Sequence, residues 1–322
     1  MAQFRRDRGR VRPRAGASGR RGPEPPLDSR VKTLVNRAGP RHVALETTLV
    51  VHGVPRGEGA ALAHALGDCV RDQGVEPALV GVVGGRPIVG MSEPELRTLL
   101  EADAVVKANT SNLGVLMHLG QHAATTVSAT MELAAAAGVR VFATGGLGGL
   151  HFGLAERPDV SADLAALARF PVAVVTSGVK SLLDVEGTRE LLESLGVPVI
   201  GFRTERFPAF YLRESGARVD ARIDDVNVLA GFVGSELRRT GRGIVIANPI
   251  PETDEIERSD WERWLAQAQA AAHEGGRDVT PKVLAALHHF SHGRTLAANI
   301  ALARSNAALA GQVCRALPSE PA

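Results

Sequence analysis

Lysine is scarce in this chain. Of 37 basic residues only Lys32, Lys107, Lys180 and Lys282 are lysine, and the other 33 are arginine. Cysteine is scarcer still, with Cys69 and Cys314 alone. Two distant thiols supply neither a disulfide framework nor the paired spacing of a zinc site, which fits a reducing cytoplasm. No stretch approaches 18 uninterrupted apolar residues, which excludes a membrane-spanning helix. The ten histidines form no HxxE pattern, and no repeat of 20–50 residues is present. The lysine shortage is informative: where charge alone suffices, this chain uses arginine. A lysine kept in an apolar strand–turn context hints that a primary amine is needed, because a guanidinium forms no Schiff base.

What is present suits a soluble cytoplasmic enzyme. The 322 residues are 44% hydrophobic and 22% charged, with a formal net charge of +2. Residues 1–30 hold nine arginines against Asp7, Glu24 and Asp28, a net +6 that leaves about −4 for the remainder. With Pro13, Pro23, Pro25 and Pro26 and no apolar periodicity, residues 1–38 read as a disordered Arg-rich tail. The tail has no apolar core of the kind a secretory signal needs. Residues 39–318 read as a single α/β domain, and since that body is not basic, no nucleic-acid partner is expected.

From about residue 41, apolar strands alternate with amphipathic helices. Expected strands are Val43–Val51, Ala78–Val83, Ala104–Lys107, Val139–Ala143, Val172–Thr176, Val197–Phe202 and Gly243–Ala247, with Arg86–Gly90 as the return limb of a hairpin after Gly84-Gly85. Expected helices are Gly59–Gln73, Glu93–Ala102, Ala129–Ala137, Ala162–Ala168, Thr188–Leu195, Val226–Arg239, Asp260–Ala272, Pro281–Phe290 and Leu296–Ala316. Ser92 with Glu95 completes a capping box. The alternation predicts a mostly parallel central sheet flanked by helices, with helical closure at the C-terminus.

In such sheets ligands sit outside the carboxyl ends of the strands. The first strand contains Glu46, whose carboxylate is costly there unless it is bonded to nearby backbone or raised in pKa as a general acid. Lys107 follows Val105-Val106, and Lys180 stands in Ser177-Gly178-Val179-Lys180-Ser181 after another strand. Either lysine could serve chemistry or simply snorkel to the surface. Thr144-Gly145-Gly146-Leu147-Gly148-Gly149-Leu150-His151 is a turn where backbone amides can approach a ligand. Asp159-Val160-Ser161-Ala162-Asp163 then opens a helix, whose N-terminus suits an anion or needs only a cap.

Together these motifs resemble the pseudouridine-5'-phosphate glycosidases. The match runs from Val43 to the C-terminal helix through Ala44-Leu45-Glu46-Thr47-Thr48, Ala124-Thr125-Thr126-Val127, the glycine-rich turn, Asp159–Leu164, Gly178–Ser181, Ala247-Asn248-Pro249-Ile250-Pro251-Glu252 and Ala298-Asn299-Ile300. The resemblance implies that Lys180 is the nucleophile, forming an imine with C1' of ribose 5-phosphate, and that Glu46 is the general acid. It implies substrate contacts from Lys107, Val127, Ser161, Ala162, Asp163 and Asn299, one Mn2+ held at Asp159, and a homotrimer. Lys107 nearby would also depress the pKa of Lys180. The chemistry is coherent: a C–C bond has no heteroatom leaving group to protonate, so two carboxylates do not suffice and an imine supplies the electron sink.

The match thins where the aglycone or phosphate would lie. The family's His-Gly-Met-Pro, aromatic, Pro-Gln-Asn run is here His52-Gly53-Val54-Pro55-Arg56-Gly57-Glu58-Gly59. Its segment ending Arg-Asp-Leu is Lys107-Ala108-Asn109-Thr110-Ser111-Asn112-Leu113, and its His-Arg-Gly is His151-Phe152-Gly153. Phe152 offers an apolar face on which a flat ring could stack. Two enzyme readings follow, the pseudouridine 5'-phosphate reaction and a C-glycosynthase of specialised metabolism joining ribose 5-phosphate to another aromatic acceptor. A non-catalytic phosphosugar-binding protein is the remote third.

Overall fold

A computed structural model describes residues 32–153, 159–273, 286–287 and 289–318. Eleven strands of these residues form one sheet: β1 (Val35–Asn36), β2 (His42–Glu46), β3 (Glu76–Val83), β4 (Arg86–Val89), β5 (Val106–Ala108), β6 (Ala123–Thr125), β7 (Val141–Ala143), β8 (Ala173–Thr176), β9 (Val199–Phe202), β10 (Ala221–Ile223) and β11 (Ile244–Ala247). The main path runs β1-β4-β3-β2-β7-β8-β11-β9-β10, and from β3 to β10 every pairing along it is parallel. β8, β9 and β11 are buried at every residue, as expected of continuous apolar runs covered on both faces.

The helices are α1 (Thr48–His52), α2 (Gly59–Arg71), α3 (Glu93–Glu101), α4 (Leu113–His118), α5 (Val127–Ala136), α6 (Ala162–Arg169), α7 (Val185–Ser194), α8 (Val226–Thr240), α9 (Arg258–His273) and α10 (Arg294–Ala316). They lie on both faces. Alternate residues of β2 point to opposite cores: Val43 and Leu45 join α2, α8, α9 and α10, while Ala44 joins α4, α5, α6 and α7. The expected C-terminal closure is α10, whose small buried residues Ala298, Ala303, Ala307 and Ala310 bring it close to the sheet. Glu95 at α3 accepts from both the amide and the hydroxyl of Ser92, as its capping box requires.

Several expectations are corrected. The strand foreseen to Val51 stops at Glu46 and becomes α1, because another strand occupies the next stretch of the β3 edge. β6 and β10 are only three residues each and α4 six, too short for periodicity to mark them. The folded body also begins before residue 39. Val35 and Asn36 pair with Ile88 and Val89, and Lys32 Nζ donates to Gly84 O at 2.6 Å, edge contacts that composition cannot reveal. The rest of the foreseen tail, residues 1–31, lies outside the described residues, as does most of the foreseen helix Pro281–Phe290. Among the described residues no helix is long and apolar enough to cross a membrane.

Candidate active site

β3 has eight residues and β2 five, and this difference builds the site. Residues 76–80 of β3 pair with β2, which sets Glu46 opposite Val80. Gly81 and Val82 then pair with Ala124 and Ala123 of β6, and β6 carries β5 with Lys107 opposite Ala124. The β5–β6 unit therefore lies past the carboxyl end of β2 and runs against it, bringing Lys107 beside Glu46. Lys107 sits in the middle of a reversed strand and not at the end of a parallel one. Thr47 and Thr125 seal the junction: both hydroxyls donate to Val80 O, at 2.8 and 2.7 Å, and the Thr125 amide donates to Thr47 Oγ1 at 2.9 Å.

The Glu46 carboxyl lies against Leu45, Leu49, Leu66, Ala143 and Ala303 around a void of about 10 Å³, barely room for one water. Burial raises its pKa above the ordinary carboxyl range, with the charges of Lys180 and Lys107 and a hydrogen bond from Thr144 opposing the shift. Burial likewise lowers the pKa of Lys107, the charge of Lys180 adding to the effect. His52, at the end of α1, is lowered by burial and by the same Lys107 charge.

Lys180 follows β8 in a turn gripped from two sides. Its amide donates to Leu147 O at 3.1 Å, and the Leu147 amide donates to Gly178 O at 2.9 Å, which straps the turn to the glycine-rich loop. Opposite, the Phe210 amide donates to Ser177 O at 2.8 Å, Ser181 Oγ donates to Ala209 O at 2.5 Å and the Tyr211 amide donates to Ser181 Oγ at 3.3 Å. Gly178 has φ 84°, and a Cβ there would stand 1.8 Å from Pro208 O. Phe210 itself holds φ 61°, unusual for a bulky residue. Lys180 is solvent-exposed as a residue, yet its charge bears on both Glu46 and Lys107. The three side chains are near enough for their charges to act on one another.

The glycine-rich loop packs behind them. A Cβ on Gly146 would meet the Phe210 ring at 2.4 Å, and one on Gly148 would meet Ser161 Oγ at 2.2 Å. Asp163 is buried, and its two oxygens accept from the amides of Ser128 (3.0 Å) and Gly148 (2.8 Å). It thereby joins Val127 at the start of α5, the loop, and Ser161-Ala162 at the start of α6, where Ser161 Oγ caps the Asp163 amide at 3.2 Å. Asn299 reaches the same loop from α10. Its Oδ1 is buried without a hydrogen-bond partner, 3.2 Å from where a Gly145 Cβ would stand.

Asp159 stands apart on the surface, its carboxylate 3.9 Å from His151 Nε2. Among the described residues no group of three His, Cys, Asp or Glu side chains gathers as a metal cage. A single carboxylate of this kind fits a hard divalent ion that keeps most of its waters.

The chain as a whole resembles known proteins. A profile of the family described as indigoidine synthase A like protein matches residues 30–316. A pseudouridine-5'-phosphate glycosidase of Methylobacterium nodulans is 46% identical over 284 residues, 87% of this chain and 84% of its own length. The chain belongs to the pseudouridine-5'-phosphate glycosidase family. The glycosidase of Deinococcus radiodurans is also 46% identical, over 278 residues, 84% of this chain and 88% of its own. Among solved structures, the indigoidine synthase A-like protein of Thermotoga maritima is 38% identical with a TM-score of 0.79, covering 87% of this chain and 95% of its own. The prealnumycin C-glycosynthase AlnA, in complex with ribulose 5-phosphate, is 32% identical with a TM-score of 0.80, covering 86% and 91%.

Within this glycosidase-family site, residue-by-residue reading passed over several groups that hold it together. Thr144 bonds Glu46. Asn306, fully buried in α10, donates to Thr144 O at 2.8 Å and Ser177 Oγ at 3.1 Å and accepts from Asn248 Nδ2 at 2.9 Å. An asparagine among the alanines and leucines of α10 was the available signal, since a buried amide needs partners. Trp261 and Trp264 are buried and Tyr211 packs on Trp261, so they serve packing. A wider cavity of about 290 Å³ lies at the ends of β9 and β11, and no lysine lines it.

Proposed function

We propose that this chain makes or breaks the C–C glycosidic bond between C1' of ribose 5-phosphate and an aromatic or heterocyclic aglycone, through an imine on Lys180. The observation that carries it is the mutual electrostatic influence of two amines and a carboxyl of raised pKa. In the bond-forming direction the uncharged Lys180 amine adds to the C1' aldehyde and water leaves. The protonated imine accepts an electron pair from an aglycone carbon, and the sugar hydroxyl then displaces the lysine as the ring closes. Glu46 holds the proton this traffic needs and gives it to the sugar oxygen in the ring-opening direction. Lys107, less readily charged than an ordinary lysine, contacts the sugar phosphate. Val127, Ser161, Ala162 and Asp163 present the amide-rich loop to the substrate, and the unpartnered Asn299 Oδ1 accepts from a sugar hydroxyl.

Asp159, with His151 nearby, would hold one Mn2+ that neutralises substrate charge. In this reading the enzyme is a cytoplasmic homotrimer. The aglycone is uracil by likeness to the named relatives. Phe152 supports a second reading, a C-glycosynthase with a non-uracil acceptor in specialised metabolism such as antibiotic biosynthesis. It is 72% exposed next to His151, where the family has arginine.

One experiment addresses both. Borohydride added with ribose 5-phosphate should add mass at Lys180, and an unlabelled Lys180 would sink the imine. Supplying uracil with ribose 5-phosphate should give pseudouridine 5'-phosphate at robust rates under the first reading, whereas a trapped but uracil-inert enzyme fits the second.

A further inference from the structure

The 290 Å³ cavity opens at the carboxyl ends of β9 and β11, with β8, the strand that leads to Lys180, on the far side of β11. Four arginines line it: Arg203, Arg206, Arg213 and Arg222. Their charges are not equally spent. Arg222 makes a bidentate pair with Asp224 at 2.7 and 3.1 Å, and the cleft's Glu205 is paired with Arg218 at 3.1 Å. The other three form no ion pair among the described residues. Each is anchored by a main-chain carbonyl: Arg203 Nε on Asp224 O at 3.3 Å, Arg206 Nη1 on Gly216 O at 3.1 Å and Arg213 Nη1 on Ile250 O at 2.5 Å. A carbonyl fixes a guanidinium without forming an ion pair with it, so three forks stand oriented in the cleft, with Glu214 a further lining carboxylate and Asp224 within electrostatic reach of Arg203.

The backbone shows the same selection. Arg203 holds φ 60°, a left-handed conformation unfavourable for a non-glycine residue. The strain sets this arginine at the mouth of the cleft, with its guanidinium 4.8 Å from the Phe202 ring centroid. Planar forks of this kind suit oxyanions that accept two parallel hydrogen bonds.

We propose that this cleft is a second anion site, taking a phosphate-bearing ligand apart from the Glu46–Lys180 centre. It is independent of the imine chemistry, since the site would hold its anion whatever Lys180 does. The test uses the full-length protein and calorimetric titration with inorganic phosphate and with pyrophosphate at fixed ionic strength, repeated in the presence of saturating ribose 5-phosphate. The expected result is pyrophosphate binding that ribose 5-phosphate does not displace, weakened at least tenfold in Arg203→Ala/Arg213→Ala. Arg206→Gln keeps a donor for Gly216 O and the fold with it, so weakened binding at an unchanged melting temperature also supports the site. Binding that ribose 5-phosphate abolishes, or that both variants retain at full strength, overturns the proposal. So does the absence of any binding because a second copy of the chain fills the cleft.

Discussion

Glu46 carries a carboxyl whose pKa the fold raises, and the sign of that shift is testable. At pH values below its ordinary 4.5 the group is neutral in folded and unfolded chains alike. As pH rises, the unfolded chain ionises first and the folded state loses stability until the folded pKa is passed. Glu46→Gln never ionises and still offers an acceptor to Thr144. Its melting temperature should therefore climb relative to wild type between pH 4 and pH 8, while turnover falls by about 10²–10⁴-fold. A gap that shrinks with pH would contradict the raised pKa. Glu46 and Lys180 were legible in the sequence because each is an ionisable residue next to an apolar strand. Thr144 was not, because a threonine at a strand end looks the same whether or not it bonds a carboxyl. The lowered pKa of Lys107, set by desolvation and by the charge of Lys180, was not foreseen, because only the fold brings the two amines near each other.

At the scale of elements, the turn that presents Lys180 is set by the segment Phe207–Leu212. Ser181 is its hinge pin, donating to Ala209 O and accepting from the Tyr211 amide. Ser181→Ala removes both bonds without touching substrate. The expected effect is a roughly tenfold fall in kcat with KM within about twofold, since misplacement of a reacting group by a fraction of an ångström is costly. Ser181→Thr keeps the hydroxyl and should recover most of the loss; steady-state kinetics of the two variants decide. Long strands and helices were readable from periodicity, down to the Gly84-Gly85 hairpin. The β5–β6 unit was not, because its strands are three residues each and their neighbours are set by the overhang of β3, a tertiary fact.

Across the whole molecule, α10 is the piece that makes the two halves of the site one object. Through Asn306 it bonds the end of β7 at Thr144, the end of β8 at Ser177 and the loop after β11 at Asn248. Asn306→Ala removes the side-chain partner of Thr144 O and Ser177 Oγ, Asn248 keeping Ser305 Oγ, and should cost roughly 2–4 kcal/mol of stability, read from urea unfolding. A loss below 0.5 kcal/mol would mean the network is ornamental. The C-terminal helix was visible in the sequence as an alanine-rich periodic run, but not that its one buried amide would reach three strand ends. The overhang of β3 has a further consequence. Glu46 and Lys180 stand on the parallel core, whereas Lys107 arrives on a separate flap that touches that core at two register pairs. Changes in this flap outside the Thr125 junction should therefore move Lys107 while leaving the parallel pairing that carries Glu46 in place.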